Sequence, residues 1–138
     1  MQALQDLTIV DISGTIATCY SAKLFADYGA QVFNLEPEEG FPTRKIKPFI
    51  PDTKESAMHG YLNTNKKSVR TLKPEELQIA DLVIYDQNID QIDESTIETN
   101  TSAISWFGKT GPYHQFKGSD AMIQSLIGQV RTIGPPEG

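Results

Sequence analysis

Short apolar runs alternate with amphipathic segments along this chain, and the alternation predicts its secondary structure. Four runs are rich in β-branched and aromatic residues and end at turn-forming residues, as buried strands do; they cover residues 7–12, 30–35, 80–85 and 101–107. After the first run, residues 17–28 place apolar side chains at helical spacing, at Tyr20, Ala22, Leu24 and Phe25, which predicts a helix with one buried side. Thr15 or Thr18 is the expected N-cap, and the glycine that follows is the expected stop.

A second helical pattern covers residues 120–130, and Gly128 is expected to weaken its last turn. Two lesser helices are expected, one opening at Pro74 and one lightly anchored within the acidic stretch 86–98. The first strand, helix and second strand together make a parallel crossover unit. The chain is therefore predicted to be an α/β protein with an open, mostly parallel, Rossmann-like sheet flanked by helices.

Ligands bind such sheets beyond the carboxyl ends of the strands. The loops that follow the predicted strands are expected to meet at one rim; they are residues 13–18, 36–37, 86–87 and 107–113. A length of 138 residues fits one hydrophobic core, so residues 1–138 are expected to form a single domain. Residues 38–61 carry three prolines and scattered charges, which predicts an irregular surface loop.

The net charge of −6 conceals a basic belt between residues 44 and 73. This belt holds eight of the twelve basic residues and only two acidic ones, whereas residues 75–98 hold eight acidic residues and no basic one. An acidic chain disfavours nucleic-acid binding. The belt itself suits a small polyanion, such as a nucleotide with phosphates; the alternative is a solvated charged face.

Other functional classes have little support in the composition. No apolar run approaches the roughly 18 residues of a membrane span, and the first residues do not form a signal-peptide pattern. Cys19 is the single cysteine, which favours a reducing cytoplasm and predicts a packed side chain rather than a nucleophile. No residues have metal-ligand spacing, so no metal is expected, and His59 and His114 are expected to be ordinary surface residues.

The turn at residues 13–18 is the first candidate binding segment. It offers backbone N–H groups at a helix N-terminus, where anions bind. Glu36 ends the next strand, at the place where a dinucleotide-binding unit holds a ribose hydroxyl. Because only Gly14 of the glycine fingerprint is present, a nicotinamide cofactor is the weaker alternative.

Two later segments also carry candidate chemistry. Residues 63–68 combine asparagines with two lysines, which suits phosphate and ribose; the alternative is a solvated strand edge. Residues 106–113 form a tight glycine-containing loop after a strand, which lets a backbone approach a ligand closely. Trp106 and Phe107 there either stack on an adenine or close a core.

Four segments, in order and at matching intervals, carry a family resemblance. Ile9–Ser13 is similar to an opening strand, Leu24–Pro37 to the motif LADLGAEVIKVEP, and Leu62–Val69 to LNRNKRSV. The fourth is Phe107–Tyr113 with the helix beginning at Asp120, similar to FGQTGPY with D..IQA.SG. These segments resemble the first part of class III CoA-transferases, the group of CaiB/BaiF type that includes formyl-CoA transferase, carnitine dehydratase and α-methylacyl-CoA racemase. The resemblance implies that the chain is a single partial domain.

The resemblance also implies a ligand and an assembly. Family members bind coenzyme A, here a substrate and acyl carrier, and work as homodimers in which two chains thread through each other. A complementary chain carrying the rest of the enzyme is the other implied partner. The CoA contacts carried over from the family motifs are Ile16, Ala17, Leu62, Asn63, Lys66, Phe107 and Lys109, and the strand end at 86–87 corresponds to a further contact.

Departures from the family pattern limit what the resemblance implies. The family often has Gly-Pro at Thr18-Cys19, Asn-Phe at Asp86-Gln87 and a glycine at Trp106. In the family, CoA moves through an aspartyl thioester, while the racemase branch shifts an α-proton of the substrate thioester; the catalytic aspartate corresponds to a position beyond the last segment. No catalytic residue is therefore expected here, and Asp120 matches an earlier acid.

The expected function is the CoA-binding N-terminal part of an enzyme that transfers CoA between carboxylic acids. A stand-alone, non-catalytic CoA-binding or interaction module is the alternative, and an NAD-binding Rossmann domain is a second one.

Overall fold

The computed structural model describes residues 2–70, 79–87 and 98–132. Contacts divide the chain into two compact units, Met1–Ile104 and Ser105–Gly138, where the sequence led us to expect one domain. The helices predicted at Pro74 and within residues 86–98 lie outside the described residues, apart from the ends of the second segment. Among the helices that are described, none is long and apolar enough to cross a membrane.

The first unit is built on a five-stranded sheet. Its strands are β1 Thr8–Asp11, β2 Gln31–Leu35, β3 Lys67–Val69, β4 Leu82–Asp86 and β5 Thr101–Ile104. They lie in the order β3-β2-β1-β4-β5, and each of these neighbouring pairs is parallel. The predicted open, parallel α/β sheet is thus confirmed. Apolar side chains are buried on both faces, because Ile9 and Val10 of β1 point opposite ways and both are buried.

Helix α1, Ile16–Asp27, follows β1 as predicted, and two of the four apolar residues expected on its buried side, Ala22 and Phe25, pack in the core. Thr15 is the N-cap, and its side chain accepts a hydrogen bond from the Thr18 backbone. Small residues form the buried side, with Ala22 and Ala26 packed in the cluster of Ile9, Val32 and Ile84. Small side chains let the helix pack close to the sheet, which explains why the larger Tyr20 and Leu24 remain 48% and 46% exposed.

Residues 38–61, predicted to be irregular, contain short ordered elements. A 3-10 helix covers Pro42–Lys45, Phe49 and Ser56 form an antiparallel bridge, and helix α2 covers Ala57–Leu62. The anchor is Phe41, which is fully buried in a cluster with Cys19 and Leu62. Helices this short show no apolar periodicity in the sequence. The three prolines therefore led to the prediction of an irregular loop.

The second unit contains helix α3, Asp120–Leu126, and a 3-10 helix, Gln129–Thr132. Gly128 between them has a φ of +78°, which fits the expected weak last turn. Within this unit the ring of Phe107 lies near those of Tyr113 and Phe116, with centroids 5.4–6.4 Å apart among the three rings. Trp106 lies directly against Gly118, so both members of the predicted aromatic pair have contacts inside their own unit.

Candidate active site

Three of the four predicted rim loops lie at the carboxyl ends of neighbouring strands in the first unit. The backbone N–H of Asp86 donates to Ser13 Oγ at 2.7 Å, which joins the end of β4 to the turn after β1. Glu36 follows β2 directly, beside the end of β1. The fourth loop, residues 107–113, belongs to the second unit.

The turn after β1 is fixed by a buried carboxylate. Asp11 Oδ1 accepts hydrogen bonds from the backbone N–H groups of Ser13 and Gly14, both at 3.1 Å. Gly14 has a φ of +63°, and a Cβ at this position would lie 1.9 Å from the ring of Phe41. The turn therefore requires glycine, and it leaves Ile16 and Ala17 exposed in the first turn of α1, where backbone N–H groups lack helical partners.

Both carboxylate oxygens of Glu36 accept hydrogen bonds from groups of this chain. Its Oε1 accepts from Arg44 Nη2 and Ser68 Oγ, each at 2.7 Å, and its Oε2 accepts from Arg44 Nε at 2.6 Å and from the Phe41 backbone at 3.1 Å. Burial raises the pKa of the Glu36 carboxyl, but these hydrogen bonds outweigh it and lower the pKa to about 2. In a dinucleotide-binding unit the acid at this position binds a ribose hydroxyl. Here Glu36 instead connects the end of β2 to the 3-10 helix and to β3.

A cavity of about 300 Å³ opens beside this carboxylate. It is lined by Glu36, Pro37, Glu38, Glu39, Gly40, Arg44, Ser68 and Arg70. Arg70 Nη1 donates to the Glu38 carbonyl at 2.9 Å. Two arginines of the basic belt therefore line a hollow near the carboxyl ends of β2 and β3, together with three carboxylates.

The two lysines of residues 63–68 have different surroundings. Lys67 is exposed on β3, an edge strand, with its ammonium 5.4 Å from the centre of the Phe33 ring. Lys66 turns inward, and its Nζ donates to the Cys19 carbonyl at 2.7 Å and to Asn63 Oδ1 at 3.2 Å. Burial lowers the pKa of Lys66, while Cys19 and Asp11 oppose that shift. The solvated-edge alternative thus describes Lys67 but not Lys66.

Asn63 is the centre of a polar network that sequence analysis missed. Its Oδ1 also accepts from Asn34 Nδ2 at 2.8 Å, and its Nδ2 donates to the His59 carbonyl at 3.0 Å. The same Nδ2 lies 3.0 Å from His59 Nδ1, which is 2.9 Å from Thr43 Oγ1. His59 was expected to be an ordinary surface residue; it is half-buried because α2 packs against the 3-10 helix that carries Thr43.

Two buried acceptors near this network lack partners among the described residues. They are Asp11 Oδ2 and Asn34 Oδ1, which sit on β1 and β2 at paired register positions. Burial raises the pKa of Asp11, against the lowering effects of the Gly14 N–H and the charge of Lys66. An unpaired buried acceptor is costly, so this part of the sheet carries unused hydrogen-bonding capacity.

The structure brings together five of the residues carried over from the family motifs. Leu62 contacts Cys19 in a buried cluster, and Lys66 bonds the Cys19 carbonyl, so the end of α2 is fastened to the first turns of α1. Leu62 is only 2% exposed, which leaves just its backbone for a ligand. Ile16, Ala17 and Asn63 lie on the same two elements. Phe107 and Lys109 lie in the second unit.

Cys19 behaves as a packed side chain. It is fully buried, and burial together with the negative charge of Asp11 raises the pKa of its thiol to about 12. A thiol with that pKa is protonated and unreactive at neutral pH, which confirms the packing prediction. Within the described ranges, no three His, Cys, Asp or Glu side chains come together as a set of metal ligands.

Known proteins match this chain in sequence. Residues 4–77 match the family described as CoA-transferase family III. The succinate–glutarate CoA-transferase of Agrobacterium fabrum is 26% identical, over 98% of this chain and 40% of that protein. The succinyl-CoA:mesaconate CoA-transferase of Haloarcula marismortui is 29% identical, over 99% and 42%. The human succinyl-CoA:glutarate CoA-transferase is 25% identical, over the whole chain and 36% of that protein.

Solved structures match it in fold. A CaiB/BaiF family protein from Brucella suis superposes with a TM-score of 0.80 at 26% identity, over 99% of this chain and 42% of that protein. A Mycobacterium tuberculosis protein, at 20% identity and a TM-score of 0.73, shows the same fold. The chain spans about two fifths of the length of these relatives.

Proposed function

Because the chain belongs to CoA-transferase family III, we propose that the joined ends of α1 and α2 bind coenzyme A or an acyl-CoA for transfer between carboxylic acids. The three relatives named above are called CoA-transferases. The observation that carries the proposal is the bond from Lys66 to the Cys19 carbonyl, which joins the motif segment Leu62–Val69, within the basic belt, to the first turns of α1, where Ile16 and Ala17 lie. The saturated Glu36 speaks against the nicotinamide alternative.

The proposed contacts divide by chemistry. The exposed N–H groups of Ile16 and Ala17 suit a phosphate at a helix N-terminus. Lys66 exchanges the Cys19 carbonyl for a phosphate oxygen, which is a stronger, charge-assisted partner, while the amide of Asn63 and the backbone of Leu62 position the ligand. Phe107 and Lys109, in the second unit, are proposed as contacts on the family motif alone.

Calorimetric titration with CoA compares two neighbouring lysines. Lys66→Ala is expected to weaken binding on the order of tenfold, because it removes a half-buried cation from the site. Lys67→Ala is the matched control: it removes the same charge from an exposed sheet edge and is expected to change the dissociation constant less than twofold. Raising the salt concentration should weaken binding by the wild type and by Lys67→Ala. Equal losses of CoA affinity in the two variants would contradict the assignment of Lys66 to the site.

We also propose that no described carboxylate is the nucleophile of the transfer. The family motifs place the catalytic aspartate beyond the last motif segment, and of the two buried carboxylates at the rim Asp11 is inaccessible and Glu36 is saturated, whereas an acyl–aspartyl route needs a reachable one. Asp120 accepts a hydrogen bond from Gln124 on α3, at 2.6 Å. The carboxylate then comes from residues beyond those described or from another chain.

A transfer assay of this chain alone, with succinyl-CoA and glutarate, tests the proposal on the nucleophile. No turnover above the uncatalysed rate is expected. Turnover that is lost in Asp11→Asn, Glu36→Gln or Asp120→Asn would contradict the proposal and identify the missing group.

A homodimer, or a complex with a complementary chain, is the proposed working state in the cytoplasm. Support comes from the exposed apolar side chains along α1, at Ile16, Tyr20 and Leu24, which a monomer leaves in water. Light scattering on the isolated chain checks the first arrangement, for which the mass of a dimer is expected; a monomer at all concentrations would contradict it.

A further inference from the structure

Building on the proposed function, we propose that His59 is a positioning residue for coenzyme A binding, because its Nδ1 accepts a hydrogen bond from Asn63 and so orients the amide that holds Lys66. His59 would not touch the ligand. It would act through the side chain of Asn63, which is hydrogen-bonded to Lys66 and to Asn34 of β2.

The orientation of the Asn63 amide follows from its partners. Lys66 Nζ can only donate, so the amide atom 3.2 Å from it must be the oxygen. The His59 carbonyl can only accept, so the atom 3.0 Å from it must be the nitrogen. Asn34 Nδ2 agrees with this orientation, because it donates to the same oxygen at 2.8 Å.

The orientation of Asn63 in turn fixes the tautomer of His59. An amide nitrogen has only donors, so a hydrogen bond between Asn63 Nδ2 and His59 Nδ1, 3.0 Å apart, requires Nδ1 to accept and to carry no proton. The neutral ring is then protonated at Nε2, and Thr43 Oγ1, 2.9 Å from Nδ1, lies within hydrogen-bond distance of the same nitrogen.

Protonation of His59 would reverse this arrangement. A proton on Nδ1 would face the N–H of Asn63, two donors at hydrogen-bond distance, and the amide would have to turn. A turned amide presents its NH₂ group to Lys66 Nζ, which can only donate, and to Asn34 Nδ2, the donor that now bonds Asn63 Oδ1. The change at the ring therefore reaches Lys66 through a single amide, with loss of both bonds to Asn63 Oδ1.

Charged groups from each neighbouring element act on the ring. Burial lowers the pKa of His59, and the positive charges of Arg44 on the 3-10 helix and Lys66 before β3 act in the same direction. Glu36 at the end of β2 raises it. From α1, Cys19 reaches Thr43 at 4.0 Å, and its thiol stays protonated and uncharged. The neutral ring is thus the form present at neutral pH.

Measuring the CoA dissociation constant between pH 5.5 and 8 at constant ionic strength tests the inference. His59→Asn places a non-titrating acceptor near the position of Nδ1, whereas His59→Leu removes the acceptor. We expect His59→Asn to bind as tightly as the wild type at pH 8 and His59→Leu to bind roughly threefold to tenfold more weakly, the value of one hydrogen bond. As the pH falls, the wild type should lose additional affinity that His59→Asn retains.

The difference in pH dependence of the CoA dissociation constant between the wild type and His59→Asn reports the titration of the His59 ring alone, because the phosphates of CoA titrate equally in both measurements. His114→Asn is the matched control, since it removes the other histidine and should keep the wild-type pH profile. Parallel profiles for the wild type and His59→Asn would overturn the inference while leaving CoA binding intact. Thermal unfolding of each variant shows whether a loss of affinity reflects loss of the fold.

A second readout needs no ligand. In ¹⁵N NMR of the histidine rings, Nδ1 of His59 should carry no proton at neutral pH, and the side-chain amide signals of Asn63 should shift as His59 titrates. Absence of CoA binding together with this result would overturn the proposed function but not the coupling of His59 to Asn63. A proton on Nδ1 at neutral pH would overturn that coupling.

Discussion

Two buried carboxylates near the rim have opposite surroundings. Glu36 accepts four hydrogen bonds, two of them from Arg44, which hold its pKa down. Asp11 uses one oxygen for the turn after β1 and leaves the other unpaired among the described residues. Glu36 therefore strengthens the fold in its charged form, whereas the charge on Asp11 weakens it.

At pH 7 the free energy of unfolding of Asp11→Asn is expected to equal that of the wild type or to exceed it by up to about 1 kcal/mol. The amide keeps an acceptor for the turn and offers a donor in place of the unpaired oxygen. Because folding raises the pKa of Asp11 above its ordinary value of 3.8, the destabilisation is absent below that pH and grows as the pH rises. Urea unfolding at pH 4 and pH 7 should show the advantage only at the higher pH.

Asp27→Asn provides the opposite control. Asp27 accepts from Lys23 and Asn65, and these contacts lower its pKa, so this variant should lose stability at pH 7. A loss in Asp11→Asn at pH 7 as large as that in Asp27→Asn would contradict the assignment of an unpaired oxygen to Asp11.

At the residue scale, sequence predicts which chemical groups are present better than it predicts which way their side chains point. The pair Lys66-Lys67 indicated phosphate or a solvated edge, and each lysine has a different environment. Only the position of β3 at the sheet edge, and of Cys19 beneath Lys66, separates them. His59 gave no signal because its partner Thr43 lies on another element, the 3-10 helix, and α2, which carries His59 and has Asn63 as its C-cap, was not predicted.

Among the elements, the turn between β1 and α1 depends most on a single residue. Gly14→Ala is expected to destabilise the chain by about 2–4 kcal/mol, because alanine is strained at a φ of +63° and its Cβ would overlap the buried Phe41. Gly60→Ala, in α2 with open space around it, should stabilise by up to about 1 kcal/mol. Thermal unfolding measures both, and equal effects would contradict the described turn.

Four of the five strands and α1 were predictable from their apolar patterns, whereas β3, with the three residues KSV, has no apolar run and was not predicted. The 3-10 helix at Pro42–Lys45 and helix α2 were not, since they depend on the burial of Phe41 against Cys19 and Leu62 rather than on a local pattern. The buried side of α1 was predicted in part: Ala22 and Phe25 pack in the core as expected, whereas Tyr20 and Leu24 do not, because close packing on a sheet selects small residues such as Ala22.

For the whole molecule, the four motif segments predicted the family and the alternation of strands with helices predicted the parallel sheet, and the comparisons and the structure confirm both. The division into two units was not predicted, because no linker composition marks the boundary after Ile104. The CoA contacts themselves stay predictions. Their assembly on α1 and α2 depends on long-range contacts, above all the bond from Lys66 to Cys19.

Calorimetric titration of the wild-type chain with CoA, and separately with NADH, tests the central claim most directly. The account predicts that CoA binds clearly more tightly than NADH, because the joined α1–α2 surface offers a lysine and helix N–H groups to phosphates while Glu36 has no free acceptor for a ribose hydroxyl. NADH binding as tightly as CoA, or no binding of CoA at all, would contradict it.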